Sequence, residues 1–417
     1  MDKPSLGPDT SPAAEAAAAK AGMAEAEMAK AATARAVPSL PRLFFSFLKL
    51  GISAFGGPAA IAHIRTMAVE KKKWIDKESF REGMALCQTI PGATGMQVCA
   101  YVGLKLRGVP GALACYLGFI LPAFLLMLGL SALYASFDAV PLVAALFGSL
   151  RALIVALMAY GAWSFGKSYL KRWQDFSIAA AAAALFWFGL GPVWVIAISA
   201  ALGLILKRTS PQAQKSAAPG SRPSVPAALW IVIGAALVFL IIFFLVDRKL
   251  LDLSLLMMKV DFFAYGGGFG SVPLMLHEVV DLRHWMSPHT FMDGIALGQV
   301  TPGPIVITST FVGYLLQGPW GAIVASASIF FPSFVLVILI SPFFAKLNAL
   351  RLFRSAIDGV LCSFVGLMLS VALRMGFAVS WDLPRALVAG AAFAALMLRV
   401  DVLWVILGGV GLSLFIR

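Results

Sequence analysis

Apolar runs separated by short polar loops fill the chain from about residue 43 to its end. They fall at roughly 43–56, 80–104, 109–135, 141–166, 176–189 and 192–206, and again at 253–268, 291–316, 319–345, 356–379, 384–398 and 401–416. One more uninterrupted run, at 227–246, stands between the two sets. At about 1.5 Å per residue the longer runs match the ~30 Å hydrocarbon layer of a bilayer, so the pattern predicts membrane helices. Residues 1–36 are alanine-rich with scattered Lys and Glu and lack the apolar core of a signal peptide, which predicts a loosely helical or disordered tail. Residues 207–226 are rich in Pro, Ser, Gly and Lys and read as a linker.

Several runs are interrupted where a membrane helix should be continuous. In the 291–316 run, Pro302 and Pro304 bracket Gly303 and follow Gln299 and Thr301. Each proline removes a backbone donor and pushes the residue before it out of helical dihedrals, so the helix must break there. Broken backbone survives in lipid only where protein covers it or where it lines a wet cavity. The same break occurs earlier: Gln88, Pro91 and Gly92 align with Gln299, Pro302 and Gly303, and Trp74, Phe80, Glu82 and Gly83 align with Trp285, Phe291, Asp293 and Gly294 at one constant offset. With a one-residue shift, Phe55-Gly56-Gly57 aligns with Tyr265-Gly266-Gly267, and Gly108, Gly111 and Pro122 with Gly318, Gly321 and Pro332. The chain is two copies of one unit, each with a glycine-rich break and a Gln-x-x-Pro-Gly break.

Composition agrees. Of 417 residues, 60% are hydrophobic and 13% charged, and the mean hydropathy is +0.89, values of a polytopic membrane protein. The net charge of +13 sits in short loops, where it reads as a topology signal near anionic lipid and not as a nucleic-acid footprint. Cys87, Cys99, Cys115 and Cys362 form no Cys-x-x-Cys pair and read as small membrane residues.

The charges also orient the copies. Arg65, Lys71, Lys72, Lys73, Lys77 and Arg81 follow the first glycine-rich break, whereas the second copy has Arg283 against Glu278 and Asp281. Conversely, residues 137–140 carry no Lys or Arg, while their equivalents include Lys346, Arg351 and Arg354. Each copy holds an even number of apolar elements, so the single run between them inverts the second copy, as the charge pattern requires. Two topologies remain open: re-entrant hairpins plus nine full crossings, or thirteen crossings with one violation of the charge rule. Both put the N-terminus in the cytoplasm and the C-terminus outside.

A helix that starts within the membrane presents unpaired N–H groups and about half a positive charge. Glycines at 56, 57, 92, 266, 267, 268 and 303 would let such donors approach a small anion. Gln88, Gln299, Thr89, Thr94, Thr301 and Thr308 would add neutral donors. The alternative is that Pro and Gly only permit bends and close packing. Among ionisable residues, Glu82 and Asp293 either carry a coupling proton or cap helices. Lys49 and Lys259 either supply positive charge to an anion or snorkel to the interface. No catalytic triad, phosphate-binding loop, dinucleotide fingerprint or metal-ligand cluster occurs, which argues against an enzyme and implies no cofactor.

The combination Phe55-Gly56-Gly57-Pro58, Gln88-x-x-Pro91-Gly92, Tyr265-Gly266-Gly267-Gly268 and Gln299-x-Thr301-Pro302-Gly303-Pro304 resembles the chromate ion transporter family in its long, two-domain bacterial form, from about Arg42 onward. Ala93 departs from the fuller Pro-Gly-Pro pattern of the second copy. The resemblance implies efflux of chromate across a bacterial inner membrane, with sulfate as a structural analogue. A sulfate importer or exchanger, a passive channel and a membrane-bound chromate reductase are the competing readings. The expected organisation is an all-α polytopic membrane protein with inverted-topology halves at 37–206 and 247–417. They are joined through the linker and the helix at 227–246; a homodimer is an open option.

Overall fold

In the computed structural model, residues 37–54, 57–137, 141–206 and 227–415 are described; the expected tail and linker, Phe55, Gly56 and residues 138–140 lie outside them. In the first repeat, α1 (Leu40–Ser53) precedes the glycine-rich break. α2 (Gly57–Arg65) follows it and widens into a π-helical turn over Thr66–Lys71. α3 (Lys77–Thr89) leads to the Pro-Gly break, and α4 (Thr94–Phe137) leaves it, bending at Arg107–Gly108. α5 (Pro141–Tyr169), α6 (Trp173–Trp187) and α7 (Pro192–Leu206) complete the repeat. The connecting helix is α8 (Ala227–Val246).

The second repeat repeats this order. α9 (Arg248–Phe263) ends at the glycine-rich break, and α10 (Ser271–Met275) widens into a π-helical turn over Leu276–Leu282. α11 (Pro288–Val300) enters the Pro-Gly break, and α12 (Thr308–Ile340) leaves it and bends at Gln317–Gly318. A short α13 (Phe344–Ala349) precedes α14 (Arg351–Ala378), α15 (Leu383–Met397) and α16 (Val402–Phe415). Even small irregularities recur: Lys73 and His284, one residue before the matched tryptophans, have φ of 50° and 52°.

The sequence treats residues 57–79 and their equivalents as polar loops, but both contain a helix. His63, Arg65 and Lys71 mask an amphipathic element whose buried face is Ala60, Ile64 and Ala68. Asp76 caps α3 through the Ser79 amide at 2.8 Å, and Ser287 caps α11 through the Thr290 amide at 3.1 Å.

Both breaks fold the chain back on itself. Lys72 Nζ reaches Ser46 Oγ at 3.2 Å, pairing the end of the α2 arm with the first half of α1. In the second repeat Lys259 reaches Glu278 at 2.6 Å and Arg283 reaches Asp252 at 3.2 Å, joining the same two arms. In the second hairpins, Gly83 backs onto the Tyr101 ring and Gly294 onto the Phe311 ring, residues nearly equidistant from Gly92 and Gly303. These contacts fold each pair of arms into a helical hairpin.

Beyond the hairpins, five helical stretches are long and apolar enough to cross a membrane: within α4, α5, α8, α12 and α14. α6, α7 and α15 have 15 residues each and α16 has 14, so at about 1.5 Å per residue they reach only ~22 Å. These short helices pack across the repeats: α6 and α7 lie against α14, while α15 and α16 lie against α5. Gly203 and Gly359 let α7 and α14 touch backbone to backbone, where a Cβ would meet the Gly359 Cα at 2.9 Å. At the centre, α4 packs on α12.

Candidate functional site

Each Pro-Gly break needs a residue with positive φ, and glycine supplies it: Gly92 at 114° and Gly303 at 110°. The turn this creates aims its amide out of the hairpin. The Gly92 N–H donates to the Ala264 carbonyl at 2.7 Å, and the Gly303 N–H donates to the Ala54 carbonyl at 2.9 Å. Ala264 ends α9 and Ala54 ends α1, so the Pro-Gly tip of each repeat is pinned to the glycine-rich tip of the other. Gly266 and Gly267, also at positive φ (80° and 79°), carry the chain around the second glycine-rich tip. Gly267 faces the Thr94 hydroxyl of the first repeat, and Gly268 faces Ile305 of the second.

Helix starts surround this meeting point. α4 begins at Thr94, a single 3₁₀ turn at Ile305–Ile307 opens α12, and another at Gly268–Gly270 opens α10. Their first N–H groups have no partner one turn earlier in the helix, and their dipoles place partial positive charge at the tips. Pro91, Gly92, Thr301, Pro302 and Pro304 are buried, whereas Thr94, Tyr265, Gly266, Gly267, Gly268 and Gly303 are half-buried. Protein thus covers the broken backbone, as a membrane requires, while part of each tip remains accessible.

The polar side chains divide unequally. Gln299 has a buried Nε2 with no hydrogen-bond partner, whereas its match Gln88 is exposed. Three of the four threonines are not the free donors expected from sequence. Thr89 donates to Ala85 at 2.7 Å, Thr301 to Gly298 and Thr308 to Ile305, each at 2.8 Å, so their hydroxyl hydrogens serve their own helices. The structure places Gly57 at the start of α2. Phe55 and Gly56 lie outside the described residues, as does the side chain of Pro58.

Of the ionisable residues, Asp293 neither caps a helix nor stands alone. It sits inside α11 with a side chain 1% exposed and accepts from Arg151 Nε at 2.7 Å, Arg151 Nη2 at 2.6 Å and the Tyr134 hydroxyl at 3.0 Å. Arg151 belongs to α5 and Tyr134 to α4, so this buried fork ties the second repeat's hairpin to the first repeat's long helices. Glu82 is exposed and the cap beside it is Asp76. Lys259 is taken up by Glu278.

Three further residues meet at the tips: Asp261, which stands out in the sequence as a charge within an apolar run, and Ser333 and Gln97, which do not. Asp261, fully buried in α9, accepts from the Ser333 amide at 2.7 Å, and its second oxygen has no hydrogen-bond partner. The Ser333 hydroxyl in turn accepts from the Ala93 amide at 3.2 Å. Gln97, also fully buried, donates to the Pro91 carbonyl and braces the first tip. The equivalents of Asp261 and Ser333 in the first repeat are Gly51 and Ala123, so the carboxyl makes the site two-fold in backbone but not in charge. Among the described residues no cluster of His, Cys, Asp or Glu could hold a metal, and the four cysteines are buried and unpaired.

Paired repeats whose broken helices meet tip to tip inside an apolar helical body define the class: a multi-pass membrane protein of the broken-helix transporter type. The chromate transporter family profile matches residues 41–204 and again residues 251–414, and the chain belongs to that family. It is 42% identical over 372 residues to an uncharacterized transporter of Methanocaldococcus jannaschii, covering 89% of this chain and 92% of the relative. It is 32% identical over 374 residues to a chromate transport protein of Pseudomonas aeruginosa (86% and 87% covered) and 29% identical over 372 residues to one of Cupriavidus metallidurans (86% and 88%). No solved structure matches the chain.

Proposed function

We propose that this protein is a secondary transporter that exports chromate across a bacterial inner membrane and so confers chromate resistance. The anion binds where the hairpin tips converge, between Gln88-Pro91-Gly92, Gly266–Gly268 and Gln299–Pro304, beside Ala54 at the end of α1. The observation that carries the reading is the crossed pair of hydrogen bonds, Gly92 to Ala264 and Gly303 to Ala54. It draws unpaired helix starts from both repeats to one point, as a small oxyanion requires. A ring of neutral donors binds a tetrahedral dianion without a permanent counter-charge, so release is not prohibitive. Sulfate has the same charge and shape and competes for the site.

Two opposed hairpin pairs held by two equivalent cross-repeat bonds offer two related arrangements, outward-open and inward-open, that exchange by rocking one repeat on the other. Exporting a dianion from a cell negative inside runs downhill by about 2.3 kcal/mol per charge per 100 mV. Voltage alone therefore drives the direction proposed.

The test is chromate flux in vesicles holding the purified protein, with an imposed voltage and with sulfate as competitor. Voltage-dependent chromate flux that Gln299→Ala or Pro302→Ala abolishes, with the protein still in the membrane, is the expected result. Flux of sulfate alone would reassign the substrate, and unchanged flux in both variants would move the site away from the tips.

A further inference from the structure

Asp261 lies wholly buried in the last turn of α9, where one carboxyl oxygen accepts the Ser333 amide and the other, Oδ1, has no hydrogen-bond partner. Two routes tie it to the first Pro-Gly tip. Ser333, whose amide it holds at 2.7 Å, takes the Ala93 amide on its hydroxyl at 3.2 Å. Ala264, whose amide bonds the Asp261 carbonyl at 3.1 Å, takes the Gly92 amide at 2.7 Å. The charge state of Asp261 is therefore felt within two hydrogen bonds of the tip amides.

Among the described residues nothing around this carboxyl offsets a negative charge. α12, its main packing partner, and α8 carry no charged residue. α4 presents Tyr116, whose hydroxyl is spent on the Phe330 carbonyl at 2.8 Å, with the Cys99 and Cys87 thiols nearby. The charges on α9 and on the α10 arm satisfy one another: Lys259 pairs with Glu278 at 2.6 Å and Arg283 with Asp252 at 3.2 Å. His277 lies 3.7 Å from Asp281, which Arg374 holds at 2.7 Å. Gln97 brings a further acceptor, since its buried Oε1 also has no partner. The C-terminal end of α9 adds the negative pole of the helix dipole. Asp293 and Glu278, also buried, each hold a cation at 2.6 Å; Asp261 holds none. A bare carboxylate is costly in such a place, whereas a carboxylic acid supplies a donor among oxygens that lack one. The first repeat has no such group. Gly51 stands at the equivalent position, and a Cβ there would overlap the Phe119 carbonyl.

We infer that Asp261 binds a proton together with the anion, so that one proton moves with each tetrahedral dianion. The inference rests on the transport reading above and names its coupling ion. A dianion at the tips and a carboxylate on the same tip repel each other strongly in a dry site, so the dianion enters with the acid and not with its conjugate base. The O–H bond at Oδ1 forms with a proton taken from water on the loading side. It breaks when that proton leaves with the anion on the other side. Because Gly51 leaves the first half without a carboxyl, the ratio is one proton and not two, and the loaded complex moves one net negative charge. Voltage still favours export, acting on one charge instead of two, while an alkaline interior opposes it.

The experiment uses the full chain in phosphatidylcholine vesicles in mildly alkaline buffer, where chromate is the dianion, with the voltage clamped by potassium and valinomycin. A trapped pH dye reads the lumen and absorbance counts the chromate. Chromate entry should acidify the lumen by one proton per anion, and a pH gradient should drive chromate with no voltage imposed. Asp261→Asn keeps an acceptor for the Ser333 amide but cannot bind the proton. Its proton-to-chromate ratio should fall to zero and its flux should ignore the pH gradient. If that variant carries no chromate, binding in detergent decides. The wild type should take up one proton per chromate bound, with half-saturating chromate rising by up to about tenfold per pH unit, and Asp261→Asn should bind chromate with neither effect. Chromate flux without proton movement in the wild type overturns the proposal and leaves the transport reading standing. So does coupling that survives in Asp261→Asn, or flux that follows a sodium gradient instead. A wild type that takes up a proton on binding chromate yet carries none across the bilayer would keep the proton site and sink the transport reading.

Discussion

The Gly303 amide of the second repeat donates to the Ala54 carbonyl of the first at 2.9 Å, and the Gly92 amide returns the bond to Ala264 at 2.7 Å. Neither hairpin tip is complete within its own repeat. Each repeat leaves one amide and one carbonyl unpaired at its breaks, and buried backbone groups in a membrane must find partners. The partners are across the two-fold, so pairing of the tips and assembly of the halves are one event.

The two glycines are not equally replaceable. Both sit at positive φ, which costs any side chain of order 1–3 kcal/mol. A Cβ at Gly92 would in addition overlap the Ser333 hydroxyl, whereas one at Gly303 meets the Ala123 methyl at 3.1 Å, which a small shift accommodates. Gly92→Ala should therefore lower the thermal midpoint in detergent more than Gly303→Ala, and Gly92→Ala with Ser333→Ala should recover part of the difference. Equal losses, with no recovery in the double variant, would show that the Ser333 contact does not matter.

The buried fork between Arg151 and Asp293 calls for a different series. Removing one member leaves the other charged and without its partner, a loss of about 3–5 kcal/mol. Asp293→Leu and Arg151→Met should each destabilise strongly, and the double variant should lose less than either, because no uncompensated charge remains. Thermal unfolding in detergent checks the order. Additive losses would mean that the two residues do not share one interaction.

Asp261 separates a structural from a merely spatial role at the second tip. Its carboxylate is the acceptor for the Ser333 amide. Asp261→Asn keeps an acceptor there, while Asp261→Ala orphans a buried N–H at about 1–3 kcal/mol. The alanine variant should be the less stable of the two by hydrogen exchange at Ser333 and by thermal midpoint.

The breaks are legible in the sequence because proline and glycine change the backbone itself, and their recurrence at a fixed offset reveals the duplication. The acceptors are not legible, since any residue supplies a carbonyl and Ala54 and Ala264 look like ordinary membrane alanines. Arg151 and Asp293 each stand out as charges in apolar runs, yet periodicity within one run cannot say which other run lies opposite. Asp261 stands out in the same way, but its equivalent Gly51 and the Ser333 equivalent Ala123 carry no polar group, so comparing the copies does not bring the two together. The α2 and α10 arms are missed because polar residues, His63, Arg65 and Lys71 in one repeat and His277, Glu278 and Asp281 in the other, break the apolar pattern.

The bends in the long helices isolate backbone conformation from packing. Gly108 (φ 62°, ψ −152°) and Gly318 (φ 59°, ψ −151°) adopt a region open almost only to glycine. A Cβ at either would meet nothing within 4 Å. Gly108→Ala and Gly318→Ala should therefore cost about 1–3 kcal/mol each from the backbone alone, by nearly equal amounts, and no second-site truncation should rescue them. If either is neutral, the turn can be made with ordinary dihedrals, and the sharp return that brings Gly103 beside Gly111 and Gly313 beside Gly321 does not depend on it. Because that return sets where each hairpin's second arm ends, a destabilised bend should also slow anion flux without changing the KM, which initial rates in vesicles would show.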